Sequence, residues 1–169
     1  MIAFEPGAVM AIDVANGKRA YAQLVSRVED LADGWVVILL DMDSTSEAVD
    51  LAMVSDARIL TAGRFSVWSS LFELGVAKLI GITELASCFC MPWHRTPSGK
   101  EWVYESWDGN HEVRHADYLE HATRNNFYTA GALVRIAEQF LEGGPREERV
   151  MTEPWSLIHK SCTIAHLCP

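Results

Sequence analysis

The chain has 169 residues, 49% hydrophobic and 22% charged, which suits one globular domain and excludes a disordered chain. Its formal net charge is −9. Nucleic-acid affinity comes from neutralising phosphates with Lys and Arg, so the charge argues against a protein built to grip DNA or RNA. The longest apolar run, Trp35 to Leu40, is strand-sized and far short of the ~20 residues a membrane helix needs.

The run Met1 to Gly7 has neither a basic stretch nor an apolar core, so no secretory leader is expected. A cytoplasmic location without a membrane partner follows as the expectation. Four cysteines, Cys88, Cys90, Cys162 and Cys168, form no dense framework, and reduced thiols are expected.

Ala8 to Val14 alternates as a strand, with Met10, Ile12 and Val14 on one face. Asn16-Gly17 then signals a hairpin, because both residues tolerate the positive φ of a tight turn. Ala20 to Val28 reads as the return strand, with Ala20, Ala22, Leu24 and Val28 on one face and Tyr21, Gln23 and Arg27 on the other. Asp33-Gly34 marks the next turn. Trp35 to Leu40 is apolar on both faces and predicts a central strand. Ser44 and Glu47 have capping-box spacing, which predicts a short helix over 45–54.

Farther on, Arg58 to Thr61, Phe65 to Trp68 and Lys78 to Ile82 read as short strands, with a helical turn over Ser70 to Gly75. Pro92, Pro97 and Ser98-Gly99 predict a loop. Glu101 to Trp107 and His111 to Arg114 form a second hairpin around Asp108-Gly109. Ala116 to Thr123 predicts a short helix. Thr129 to Glu142 predicts a longer one, with Leu133, Ile136, Ala137, Phe140 and Leu141 at helical spacing and Gly143-Gly144-Pro145 as a stop. The expected fold is α+β. It would be one domain, strand-rich over 6–114, helical over 115–144, with a tail over 145–169 that packs back through Trp155, Leu157 and Ile158. Its sheet would be small, strongly bent and antiparallel, or a partly open SH3-like barrel.

No phosphate-binding glycine loop, nucleophile elbow or His-Glu-x-x-His helix occurs. Cys88-x-Cys90 with His94, and the tail His159, Cys162, His166 and Cys168, carry zinc-type ligands, but their spacing matches no common zinc module. The plainer reading makes these cysteines small buried hydrophobes. His111, His115 and His121 lie among Glu112, Asp117 and Glu120, a set that could supply a general base but reads better as a solvated polar face. Cys90 has no local signature of a nucleophile. Trp93, Trp102, Tyr104 and Trp107 read as core or sheet cover, with a role as interface anchors the sharper alternative. No cofactor, metal or catalytic residue is therefore assigned.

One segment stands out by charge. Glu29, Asp30, Asp33, Asp41, Asp43, Glu47, Asp50 and Asp56 follow one another without an intervening Lys or Arg. In part these are turn and helix-start acids. The sharper reading makes them a partner-binding surface that attracts a basic protein, since complementary charge speeds association and rejects wrong partners.

Pro6 to Ile12, then Asn16-Gly17-Lys18-Arg19-Ala20-Tyr21-Ala22-Gln23-Leu24-Val25, resembles the opening of the immunity protein 26 family of bacterial polymorphic-toxin systems. Members commonly begin with a Gly-Asp-hydrophobic strand, an Asp/Asn-Gly-Arg turn and an Ala-Tyr-Gly-Gln-Val return strand. Ala8 stands here in place of the acidic residue, and Ala22 in place of a frequent glycine. Lys78 to Ile82 is similar to the family's later short strand. The resemblance implies a non-enzymatic protein that binds and blocks a cognate toxin in the cytoplasm, with a basic, nuclease-like toxin as the expected partner. A lesser resemblance joins the first hairpin to small-barrel endoribonuclease toxins of the MazF/PemK type. The chain has Lys18-Arg19-Ala20 where those carry Arg-Arg-Pro, and its acidity opposes RNA binding.

Overall fold

The computed structural model describes residues 4–42, 49–66, 69–123, 127–142 and 153–164. Asp43, Glu47, His166, Cys168 and the Ser44 capping box lie outside the described residues. The chain is mixed α+β, mostly sheet with few helices. Strands β1 (Ala8–Asp13), β2 (Arg19–Val28), β3 (Gly34–Asp41) and β4 (Arg58–Ser66) form an antiparallel meander. A helical turn, α1 (Ser70–Glu73), leads to β5 (Ala77–Ile82), which returns to pair with β1. At the far edge, β9 (Phe127–Thr129) pairs with β4, giving the order β5-β1-β2-β3-β4-β9. The sheet is not closed into a barrel.

The structure departs from three expectations of the sequence. The sheet is not wholly antiparallel, because β9 runs parallel to β4 at Arg64 to Ser66. Arg58 to Ser66 is one strand rather than two pieces, since it follows β3 from Arg58 to Phe65. The first hairpin turn is a 3-10 turn over Ala15–Gly17 in which Gly17 alone takes positive φ, at 70°, rather than a two-residue turn with two such positions.

Both faces of the large sheet are buried, which is why β3 is apolar at every position but its last. Trp35, Val37 and Leu39 face one core with Met10, Ile12, Leu24, Phe65 and the helix α2 (Ala130–Glu142), whose Leu133, Ile136 and Ala137 are buried. Val36, Ile38 and Leu40 face a second core with Val9, Tyr21, Val54, Ile59, Trp107, Trp155 and Ile158. A register shift between Leu24 and Ser26 inserts one residue into β2 and moves Val28 to the second core, away from Ala20, Ala22 and Leu24. Further shifts interrupt β1–β5 pairing and β3–β4 pairing. Such irregularities bend a sheet.

A three-stranded antiparallel sheet covers part of the second core: β6 (Trp93–Ser98), β7 (Glu101–Ser106) and β8 (Glu112–His115), in that order. The Pro92–Gly99 region is thus a strand rather than a loop. β6 is an outer strand, where a proline such as Pro97 is tolerated because its missing N–H costs no ladder bond on the open side. The Asp108-Gly109 hairpin is present, with Gly109 at φ 78°.

The expected helix over 116–123 is absent. The Tyr104 hydroxyl accepts from Leu119 N (2.7 Å) and donates to Asp117 O (3.0 Å), while His115 Nδ1 accepts from Asp117 N (3.0 Å). Side chains have taken the backbone partners a helix would use. In place of the 45–54 helix, the described part shows a 3-10 turn over Leu51–Met53, capped by the Asp50 carboxylate accepting from Ala52 N at 2.9 Å.

The C-terminal helix α3 (Trp155–Ile158) buries Trp155 and Ile158, whereas Leu157 is exposed. Cys90 and Cys162 form a disulfide with their Cα atoms 6.0 Å apart, which corrects the expectation of reduced thiols. The loop before β6 and the segment after α3 converge on one face of the sheet, a proximity across 72 residues that sequence spacing does not reveal.

Candidate functional site: a buried Arg–His–Glu seam bordered by acids

The second sheet meets the first along a polar seam. β4 supplies Arg64, β6 supplies His94 and β7 supplies Glu105. Arg64 and His94 are 4% and 1% exposed, values ordinarily reserved for apolar side chains. His94 Nε2 lies 3.1 Å from Glu105 Oε2, but off hydrogen-bond geometry. Neither ring nitrogen has a directed hydrogen-bond partner among the described residues. The Arg64 guanidinium stacks 3.8 Å from the Phe127 ring centroid, so a cation is held partly by a π face.

The electrostatics follow from burial. Desolvation, reinforced by the Arg64 charge, lowers His94 from 6.5 to about 4, so it is neutral at pH 7. Desolvation lowers Arg64 to about 10 against the attraction of Glu105. Burial also raises the Glu105 carboxyl. Arg64 opposes that rise, while Asp30, Glu112 and Asp108 add to it. Asp108 is itself buried, which by itself would raise its carboxyl. Hydrogen bonds donated by Ser106 Oγ (2.6 Å) and Asn110 N (3.1 Å) outweigh this and hold it below the usual value.

Asp30 acts on Glu105 although 75 residues separate them in the chain. The β2–β3 turn therefore brings exposed Asp30 within electrostatic reach of Glu105, on which Glu112 and Asp108 also act, and Glu29 is exposed beside Asp30. The other described acids of the segment are held elsewhere or otherwise engaged. Asp41 lies at the other end of β3, roughly 25 Å along an eight-residue strand, and pairs loosely with Arg58 at 4.0 Å. Asp50 caps its turn, and Asp56 is exposed beyond it. Asp33, at φ 49°, accepts from Ser69 N at 2.6 Å and serves the fold. Among the described acids of the segment, β3 thus sets Glu29, Asp30 and Asp33 at one of its ends and Asp41 at the other.

The described zinc-type residues also separate. Cys162 is bonded to Cys90, and exposed Cys88 donates weakly to Ala57 O at 3.6 Å. His94 is in the seam, and His159 lies edge-on to Trp155. No group of three or more His, Cys, Asp or Glu able to hold a metal occurs among the described residues. Of the histidine set, His115 approaches Asp117 at 4.0 Å, Glu112 pairs with Arg114 at 3.0 Å, and His111 stacks 6.4 Å from the Trp93 ring. Trp93, Tyr104 and Trp107 are buried, and Trp102 packs edge-on to Tyr118. These aromatics build the small sheet.

Sequence reasoning missed Arg64, Glu105 and the role of Gln23. Gln23 is fully buried, donating to Glu84 O (2.8 Å) and Gly7 O (3.4 Å) and accepting from Ala86 N (3.1 Å). The amide in the Tyr21-Ala22-Gln23 stretch thereby pins the segment after β5 to the sheet. A charged residue between the small Ala62-Gly63 pair and the buried Phe65, as Arg64 is, was the available signal for the seam.

No helix among the described residues is long and apolar enough to cross a membrane. No family model matches the chain, and no match emerges among curated proteins or solved structures.

Proposed function

We propose that this chain is a non-enzymatic immunity protein that binds a basic, nuclease-like toxin and blocks it. One observation carries the reading. Two chain regions, the β2–β3 turn and the β7–β8 hairpin, bring Asp30, Asp108 and Glu112 within electrostatic reach of Glu105, and Glu29 is exposed beside Asp30. Acids on a rigid scaffold attract a basic partner with little ordering cost. The resemblance of residues 6–28 to the immunity protein 26 family supports the same reading. So does the strand order β5-β1-β2-β3-β4, with a helical turn before the returning strand, which we read as an opened SH3-like arrangement.

The partner-binding assignment thereby narrows within the acidic segment to Glu29 and Asp30 and extends to Glu112. A toxin recovered on the tagged protein would be mixed with it in stopped flow at rising salt. The proposal expects association to slow steeply with salt, and Asp30→Lys with Glu112→Lys to slow it about tenfold or more at low salt. Rates indifferent to both would refute it.

A further inference from the structure

The segment 153–164 touches both sheets. It holds only the four-residue helix α3 and a 3-10 turn over His159–Thr163. Helical pieces this short are not stable by themselves, so the segment keeps its shape through what it touches. Trp155 and Ile158 enter the second core, and Ile164 enters the cluster of Trp93 and Tyr104. The Thr61 hydroxyl donates to Glu153 O (2.8 Å), which ties the start of the segment to β4. Ser161 Oγ accepts from Trp93 N (3.0 Å), which ties its later part to β6.

The other end of the disulfide is braced differently. Cys90 follows a loop held by the buried Gln23 side chain, which bonds Glu84 O and Ala86 N. Ser87 N also donates to Ser55 O (2.8 Å). The Cys90–Cys162 bond thus joins a braced loop to a segment with little regular structure of its own. Both cysteines are half-buried rather than sealed in the core.

We propose that residues 153–164 are a redox-released strap, fastened by the Cys90–Cys162 disulfide and unfastened by a dithiol while the large sheet stays folded. A thiolate of the dithiol attacks one sulfur of the bond, and the departing cysteine thiolate takes up the proton the dithiol gave up. The second thiol then closes on the mixed disulfide. The products are two cysteine thiols and one oxidised dithiol, two electrons having passed to the protein. A disulfide reagent reverses the exchange. The large sheet survives because β1 to β4 pair with one another and need no strand from the strap. Segments with few regular hydrogen bonds open at the lowest free energy, and the disulfide raises that cost for this one. Opening withdraws Trp155 and Ile158 from the second core and frees the backbone of Trp93, the first residue of β6, the strand that carries His94. Redox state thereby reaches the small sheet at Trp93.

Hydrogen exchange of the full chain, read by mass spectrometry, tests this in the oxidised protein, in excess dithiothreitol and after reoxidation. Reduction should speed exchange over 155–164 and at Trp93 about tenfold or more, while β2 and β3 change less than about twofold. Reoxidation should restore the slow rates. Cys90→Ser should show the fast strap with or without reductant. Cys88→Ser, at an exposed thiol outside the bond, should respond like the wild type. A strap whose exchange ignores reduction overturns the proposal. Equal acceleration of every strand overturns it too, because the disulfide would then hold the whole fold rather than the strap. A response that Cys88→Ser abolishes would also overturn it.

Discussion

In the six-stranded sheet, β1 to β4 bury side chains on both faces and pair mainly with neighbours in sequence. The sheet of β6, β7 and β8 has a far smaller apolar cluster, in which Trp93, Tyr104, Ala122 and Ile164 are the buried members. Much of its attachment is polar and distant in sequence. Trp93 N donates to Ser161 Oγ (3.0 Å), Trp93 O accepts from Thr123 Oγ1 (2.8 Å), and Trp107 Nε1 donates to Thr123 Oγ1 (3.0 Å). The first region is held by non-directional burial, which tolerates approximate fit. The second depends on individual partners, and its seam carries an arginine, a histidine and a glutamate whose charges are tuned by one another. Functional surfaces are commonly placed on such less uniformly packed elements.

Truncation tests this contrast most strongly. Trp35→Ala empties a site in the middle of the large sheet and should cost about 3–5 kcal/mol. Trp102→Ala, on the half-buried edge contact with Tyr118, should cost about 1–2 kcal/mol. Urea denaturation of both variants would measure the gap, and equal losses would erase the distinction between the two regions.

The disulfide comes next, because it ties the loop before β6 to the C-terminal segment. Closing a loop of 72 residues is worth about 2–4 kcal/mol, chiefly by restricting the unfolded chain. Thermal unfolding with and without dithiothreitol should show a lower midpoint on reduction. Cys90→Ser should show the low value in both conditions. A midpoint indifferent to reductant would mean that Cys90 and Cys162 stay apart in solution.

The pH dependence sharpens the description of the seam. His94 has its folded value lowered to about 4 from 6.5. The unfolded chain therefore takes up a proton first as pH falls. The stability associated with neutral His94 is complete above about pH 6.5 and is lost progressively down to about pH 4, by about 3 kcal/mol at most. Glu105 works in the opposite sense. Its raised carboxyl binds a proton earlier in the folded state, which returns part of the loss as pH falls. Urea midpoints at pH 7 and pH 4.5 should differ in the wild type and differ less in His94→Gln. The smallest effect belongs to Asp50→Ala, which removes the cap on Ala52 N and should cost about 0.5–1 kcal/mol without disturbing the small sheet.

The large sheet was readable because its pairing is local. The alternation of Ala8 to Ile12, the return at Gly17 and the all-apolar Trp35 to Leu40 each carry their signal within a few residues. The stop after Leu141 and the periodicity of Leu133, Ile136 and Ala137 likewise mark α2. β6 was missed because Pro92 and Pro97 read as breakers, and only an outer strand excuses Pro97. β9 has three residues and exists through its pairing with β4, so no window of sequence displays it. The face of Val28 was misread because the irregularity after Leu24 has no residue signature. The seam was partly legible. His94 attracted notice as a metal ligand, whereas Arg64 and Glu105, 41 residues apart in the chain, meet only when one sheet covers the other. For the same reason sequence order alone does not show that β3 sets Glu29 and Asp30 at one of its ends and Asp41 at the other.

The claim that the Glu29, Asp30 and Glu112 border is the binding surface is tested most directly by paired capture. Tagged wild type and the Asp30→Lys, Glu112→Lys variant would be used as baits in parallel from the same cells at low salt. The account predicts one dominant basic partner with a toxic domain on the wild type and strong depletion of that partner on the variant. Equal recovery on both baits, or a dominant partner that is acidic, would contradict it.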